Sequence, residues 1–199
     1  MNRIITISRE FGSGGRELGR RLSEELKIAY YDQEIITEIA KRTELSEDYV
    51  RKIIGHRPMK SFPIHIGRTF YPVRNPVLEQ THAIFQEQSR ILREMAERSD
   101  CVIVGRCADY ILRELHPFRF FVCAEMDSKL ERCRAKAPEQ EALTDRELKR
   151  EITEVDKHRA SYYQFYTGQK WGSSACYDLC VNTTKANIKE WVQVLAKLF

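Results

Sequence analysis

The residues best equipped for chemistry stand near the start of the chain, in Ile4-Ile5-Thr6-Ile7-Ser8-Arg9-Glu10-Phe11-Gly12-Ser13-Gly14-Gly15-Arg16-Glu17-Leu18-Gly19. A β-branched run meets a glycine cluster, and that cluster opens a stretch with helical spacing. Such a turn aims consecutive backbone N–H groups into one concavity. The positive end of the following helix adds its partial charge. The chemistry this suits is the binding of phosphate. The standard phosphate-loop pattern is G-x-x-x-x-G-K-[ST]. With Gly15 as its second glycine, Arg16 stands at the lysine, Glu17 at the hydroxyl residue and Glu10 at the first glycine. Arg16 still offers a permanent charge and a bidentate fork. Glu17 cannot serve Mg²⁺ as a hydroxyl does. The plain alternative is a glycine-rich β-to-α turn without a ligand.

Elements that would position these groups follow from the pattern of apolar residues. The first strand is expected at about Arg3–Ser8. The first helix should run from about Gly14 to Lys27, with Leu18, Leu22 and Leu26 on one face. Ile28–Tyr31 reads as a short strand ending at Asp32. Helix follows from about Gln33 to Thr43, and Ser46 is placed to cap another reaching Ile54. Residues 56–76 are irregular and basic, and a stretch of this kind is usually functional or mobile. A long helix, about Val77–Ser99, carries a stripe of Val77, Thr81, Ile84, Gln88, Ile91 and Met95. That stripe suits core packing or, alternatively, a homodimer seam. Cys101–Val104 and Phe118–Cys123 read as buried strands, and a helix starts near Ser128. Residues 134–161 are charged and helical, Tyr177–Val181 is a fifth strand, and a helix bearing Ile188, Trp191, Val192, Leu195 and Leu198 closes the fold. Alternating strands and helices predict an α/β fold with a parallel sheet. Ligands then belong at the carboxyl ends of the strands. Those ends carry Arg9–Gly15, Asp32, Gly105-Arg106 and the segment after Cys123.

The 199 residues suit one domain, and the net charge of +4 is a mild excess of base spread among acids. That distribution argues against nucleic acid as the partner. No apolar stretch is long enough to span a bilayer, and no signal peptide is visible. The six cysteines fit neither a zinc ribbon nor a redox C-x-x-C, so no metal is expected from them. They read as reduced, buried thiols of a cytoplasmic protein.

The order of these pieces resembles the nucleoside monophosphate kinases, and within them the cytidylate kinase-like group. The likeness covers nearly the whole chain: the glycine loop, the strand ending in Asp32, Gly105-Arg106 for a Gly-Arg-Asp, and Asp156-Lys157-His158-Arg159 for a lid motif D-x-x-R. The closing strand and helix match as well. The chain departs from the group at Arg16, where lysine is usual, and at Cys107, where aspartate is usual. Asp109, two residues on, is a possible substitute.

The resemblance implies a P-loop NTPase fold of three layers, α/β/α, over a five-stranded parallel sheet. The single domain would span 1–199, with an acceptor-side helical insertion at about 44–99 and a lid at about 134–172. It implies ATP and Mg²⁺ as donor and metal, and a nucleoside monophosphate, CMP or dCMP, as acceptor. Gly12, Ser13, Gly14, Gly15, Arg16 and Glu17 would hold the donor phosphates, with Arg16 bridging them in the lysine's place. Arg106 and Arg159 would be the cations of the acceptor phosphate, Arg159 arriving from the lid. Asp32 is expected to orient Mg²⁺ through water, to hold the acceptor, or simply to cap the helix after it. Asp156 is expected to hold Arg159 or the nucleoside, and Arg74 and Asp109 to reach the acceptor. Each has a duller role: Arg159 in solvent, and the aromatic residues Tyr162, Tyr163, Phe165, Tyr166 and Trp171 as packing. Glu10, Arg16 and Glu17 together also suit a nucleotide-binding regulator without transferase activity. A kinase for another small metabolite fits the same pieces.

Overall fold

The computed structural model describes residues 2–55, 76–136 and 143–199. The apolar runs Ile4–Arg9 (β1), Cys101–Val104 (β3) and Phe118–Cys123 (β4) form strands, as do Ala29–Tyr31 (β2) and Leu179–Asn182 (β5). They build one five-stranded sheet in the order β2-β3-β1-β4-β5, and every pairing is parallel. A parallel sheet of this kind is covered on both faces, which is why β3 is buried and apolar throughout and Ile4–Ser8 of β1 is buried even at Thr6 and Ser8.

Ile5, Ile7, Val102, Val104, Phe120 and Val122 share one buried cluster with Leu18 and Leu22 of Gly15–Leu26 (α1) and Val192 and Leu195 of Ile188–Leu195 (α8). Ile4, Cys101 and Ile103 belong to the other cluster, with Glu34–Thr43 (α2), Glu47–Gly55 (α3), Pro76–Arg98 (α4), Ala108–Ile111 (α5) and the end of Asp145–Thr167 (α7). A small cluster of Leu130, Leu148 and Ile152 ties Met126–Lys136 (α6) to α7, with Phe11 packed on it. Each fully buried aliphatic side chain contributes about 1.5–3 kcal/mol. The layers are the three, α/β/α, that the sequence led one to expect.

Local signals explain the helix limits. Lys27 turns into the left-handed region (φ 54°), and its N–H caps the carbonyls of Ser23 and Glu24, so α1 stops there. Ser46 Oγ accepts the Tyr49 N–H at 3.3 Å and starts α3 as expected. Thr144 and Glu147 form a reciprocal capping box at the start of α7.

Several expectations need correction. Thr81, Ile84, Gln88 and Ile91 of α4 are buried within the chain's own core, where Met95 also packs, so these positions of the stripe follow the core-packing alternative. Residues 145–161 of the charged segment continue into the aromatic one as a single helix, α7, running to Thr167. Its Tyr162 and Tyr163 lie in the main core, and Trp171 meets Phe121 edge-on at 5.2 Å. The C-terminal part of the expected 134–172 lid is therefore anchored. The cysteines are free but not uniformly buried: Cys101 and Cys107 are buried, whereas Cys180 is exposed on β5 at the sheet edge. Among the described residues, no helix is long and apolar enough to cross a membrane. Arg74 and most of the irregular 56–76 stretch lie outside the described residues.

Candidate functional site

The chain leaves β1 toward β2 on one side, and later reaches β4 on the other, so the sheet order reverses around β1. A crevice at the carboxyl ends of the strands is the place for a ligand in such a sheet. The loop after β1 lies there. Gly14 takes φ +80°, a conformation costly for other residues, and is the N-cap of α1. The loop is braced from behind. Ser13 Oγ donates to the Glu10 carbonyl at 2.8 Å, and Thr183 Oγ1 donates to the Ser13 carbonyl at 2.7 Å. Ser13 is fully buried, so its hydroxyl is a strut of the loop rather than a group facing the crevice. Glu10 accepts from the Ala124 N–H at 3.2 Å and pairs with Lys129 at 2.9 Å.

The turn after β3 is the second wall. Gly105, Arg106 and Cys107 all have positive φ, of 74°, 62° and 53°. A left-handed non-glycine residue costs roughly 1–2 kcal/mol, and such strain concentrates where a side chain must be aimed. Gln88 Nε2 donates to the Arg106 carbonyl at 2.9 Å and fixes the turn.

Two cavities, of about 570 and 400 Å³, open on these walls. The smaller is bounded by Gly12, Gly14, Gly15 and Glu17, and the larger by Gln33, Arg51, Arg106, His158, Tyr162 and Trp171. Arg9, Phe11, Arg16 and Arg159 line both. The junction between them is thus a wall of arginines. Arg16 Nε pairs with Asp32 Oδ2 at 2.6 Å, and Arg9 Nη2 lies 3.9 Å from Asp32 Oδ1. Arg159 Nη1 donates to the Arg9 carbonyl at 3.0 Å and reaches Asp156 Oδ1 at 3.4 Å. Asp156 Oδ1 also accepts the Phe11 N–H at 2.7 Å, and its Oδ2 meets Lys129 Nζ at 3.3 Å.

Charge is poorly balanced at this junction. Burial, with Arg159 and Arg106 close by, pulls Arg9 down to about 9. Burial lowers Arg106 and Arg159 as well. Guanidinium stays protonated in proteins, so these shifts measure the cost of the charged state rather than a titration. Arg106 Nε is buried without a hydrogen-bond partner among the described residues. Such a cluster of buried cations suits an anion.

The sequence-predicted residues are dispersed accordingly. Gly12, Gly14, Gly15, Arg16, Glu17, Arg106 and Arg159 line the cavities. Glu17 is tied to Arg21 at 2.9 Å and Lys136 at 3.4 Å. Asp32 is no helix cap: its carboxylate faces Arg16 and Arg9, and Gln33 is the cap of α2. Asp156 holds Arg159, one of its two expected roles. Asp109 is buried on α5, accepts the Tyr163 hydroxyl at 2.6 Å and lines neither cavity. Burial raises its carboxyl. Arg9 and Lys129 were not singled out from sequence. Arg9 ends β1 at the glycine loop, which was a positional signal. Lys129 carried none, because only the fold brings it to Glu10 and Asp156.

The model of the cytidylate kinase-like family matches residues 4–185. The chain belongs to the cytidylate kinase-like family. A cytidylate kinase of Haloarcula marismortui is 25% identical over 185 residues, covering 92% of this chain and 81% of that protein. A solved structure of an uncharacterised Eubacterium ventriosum protein superposes with a TM-score of 0.71 at 26% identity, over 99% of this chain and 98% of the other. Shikimate kinase from Bacteroides thetaiotaomicron superposes at 0.58, with 17% identity over 98% and 97% of the two chains. The last shares the fold. Family and fold together support a nucleotide kinase, and this cytidylate kinase-like chain brings to it a glycine loop with no lysine.

Proposed function

We propose that the protein transfers a phosphoryl group from ATP to a nucleoside monophosphate, CMP or dCMP first among them. One observation carries this reading: a glycine-loop cavity and a second, larger cavity meet at a shared wall of Arg9, Arg16 and Arg159. Phosphoryl transfer needs alignment and charge neutralisation more than covalent chemistry. The donor would lie over Gly12, Gly14 and Gly15, its phosphates at the amino end of α1. The acceptor would enter the larger cavity, its phosphate on Arg106 and Arg159 and its base among Gln33, Arg51, Tyr162 and Trp171. Preorganised charge of this kind acts most strongly where water is excluded.

Mg²⁺ at bound phosphates keeps most of its waters and takes one or two carboxylates, supplying charge to the transferring group. Asp32 fits: it is buried, and its Oδ1 has no hydrogen-bond partner among the described residues. Asp109 is left out of the site because it lines neither cavity. Arg74 remains a candidate from the sequence, outside the described residues. A cytoplasmic location suits ATP-dependent chemistry and the free thiols.

The test is ADP release from Mg·ATP with CMP, dCMP, UMP, AMP and GMP in turn. Stimulation by a pyrimidine monophosphate is the expected result. ATP binding without stimulation by any of them would replace this reading with a nucleotide-responsive regulator or with another acceptor.

A further inference from the structure

Arg9 takes an unusual path. Its side chain leaves the end of β1 and passes directly over Gly15: a Cβ on Gly15 would lie 2.5 Å from Arg9 Cβ and 3.0 Å from its Cγ. The guanidinium then comes to rest against Gly105, where a Cβ would run into Nη1. Glycines at both ends clear the channel in which this side chain lies. Only 13% of it is exposed, and it lines both cavities. Among the described residues the guanidinium donates no hydrogen bond, and its nearest acid is Asp32 at 3.9 Å. Arg16 is different. Its side chain is 57% exposed, and Nε is held by Asp32 at 2.6 Å.

The structure also settles the register of the loop. α1 begins at Gly15 with Gly14 as its cap. Counted from Arg9, G-x-x-x-x-G-K places Arg9 at the first glycine, Gly14 at the second and Gly15 at the lysine. The two ends of the pattern have exchanged size. Where the lysine would stand there is a glycine, and where a glycine would stand there is a cation whose stem fills the vacated space.

We infer that Arg9 is the catalytic cation bridging the terminal phosphates of the donor and the phosphate of the acceptor, and that Gly15 is glycine to make room for it. The acceptor half rests on the proposed transferase reading; the triphosphate half does not.

Two measurements on the full chain separate them. The first is calorimetric titration with inorganic tripolyphosphate. Arg9→Gln should weaken binding by about 10–100-fold, the loss expected of a charge-assisted contact. Arg16→Gln should lose at least about fivefold less than that. Arg9→Gly should be as weak as Arg9→Gln, and the double variant Arg9→Gly/Gly15→Lys, which restores the standard pattern, should recover most of the loss. Circular dichroism establishes that each variant is folded, and Arg9→Gln keeps most of the stem should Arg9→Gly not fold. Native-like binding by Arg9→Gln, a larger loss in Arg16→Gln, or no binding by the unaltered chain overturns the inference. The second is ADP release. If the unaltered chain transfers phosphate and Arg9→Gln does so within about threefold, the inference falls and the transferase reading stands. If tripolyphosphate binding depends on Arg9 but no acceptor stimulates release, the transferase reading falls and the donor role of Arg9 stands.

Discussion

Arg159 Nη1 donates to the main-chain carbonyl of Arg9 across 3.0 Å, joining α7 to the last residue of β1. Arg159 also lines both cavities. It means that the cation expected from a closing lid already stands at the site. Arg159→Ala should lower kcat by roughly 100-fold, the size of effect seen when one preorganised donor is removed. Stability should fall by only about 1 kcal/mol, the value of one net hydrogen bond. Steady-state kinetics beside a urea titration checks both numbers, and a loss of stability without loss of turnover would make Arg159 a mere strut.

Asp156 is the hub that positions this cation. It binds the Phe11 N–H, Lys129 and Arg159 together. Asp156→Asn keeps one acceptor but removes the charge facing Lys129, whose side chain is only 7% exposed. The expected cost is about 1–3 kcal/mol of stability. Turnover should drop as well, with KM for ATP rising because the loop at Phe11 loosens. Unchanged thermal stability in this variant would count against the hub.

Gly105→Ala tests the channel from its far end. The new methyl would displace the Arg9 guanidinium, and φ +74° is itself unfavourable for alanine. Stability should fall by about 1–2 kcal/mol from the backbone alone. Turnover should fall much further, by at least about tenfold, since the displaced group carries charge at the reacting centre. A fall in turnover no greater than that of an unrelated destabilised variant would contradict this.

The sheet edge offers a test by pH. Arg119 pairs with Asp178 at 2.7 Å, and the Arg119 N–H also donates to that carboxylate at 2.8 Å. The Arg119 side chain holds the Asp178 carboxyl below its ordinary value. A lowered folded value stabilises the fold above the unfolded value of about 3.9, and the benefit is lost as pH falls through the folded value. Asp178→Asn should therefore cost about 1 kcal/mol at pH 7, a modest figure because the pair is partly exposed. The gap between variant and parent should close toward pH 2. A constant difference across that range would assign the effect to packing.

What the sequence disclosed tracks what is local. The strands at Ile4, Cys101 and Phe118, the helix at Leu18 and Leu22, and the Ser46 cap are signals carried within a few residues, and all are present. The parallel sheet followed from their alternation. The site was half visible. Gly12, Gly14, Gly15, Arg106 and Arg159, which line the cavities, could be picked out by type and by the ends of elements. The register of the loop could not be, because adjacent glycines allow the pattern to slide by one residue. Only the start of α1 at Gly15, and the stem of Arg9 lying over it, distinguishes Arg9 from Arg16. Asp109 misled for a related reason. It stands two residues beyond Cys107, where the resemblance leads one to expect an aspartate, but after the left-handed turn at Arg106 and Cys107 it meets Tyr163 instead.

The hydroxyl of Thr183 supports the glycine loop through the carbonyl of Ser13, a partner 170 residues earlier. The loop and its brace are thus set far apart along the chain, and the loop gains this support only once β5 has joined the sheet beside β4. A truncated product that stops short of Thr183 lacks this brace for the loop.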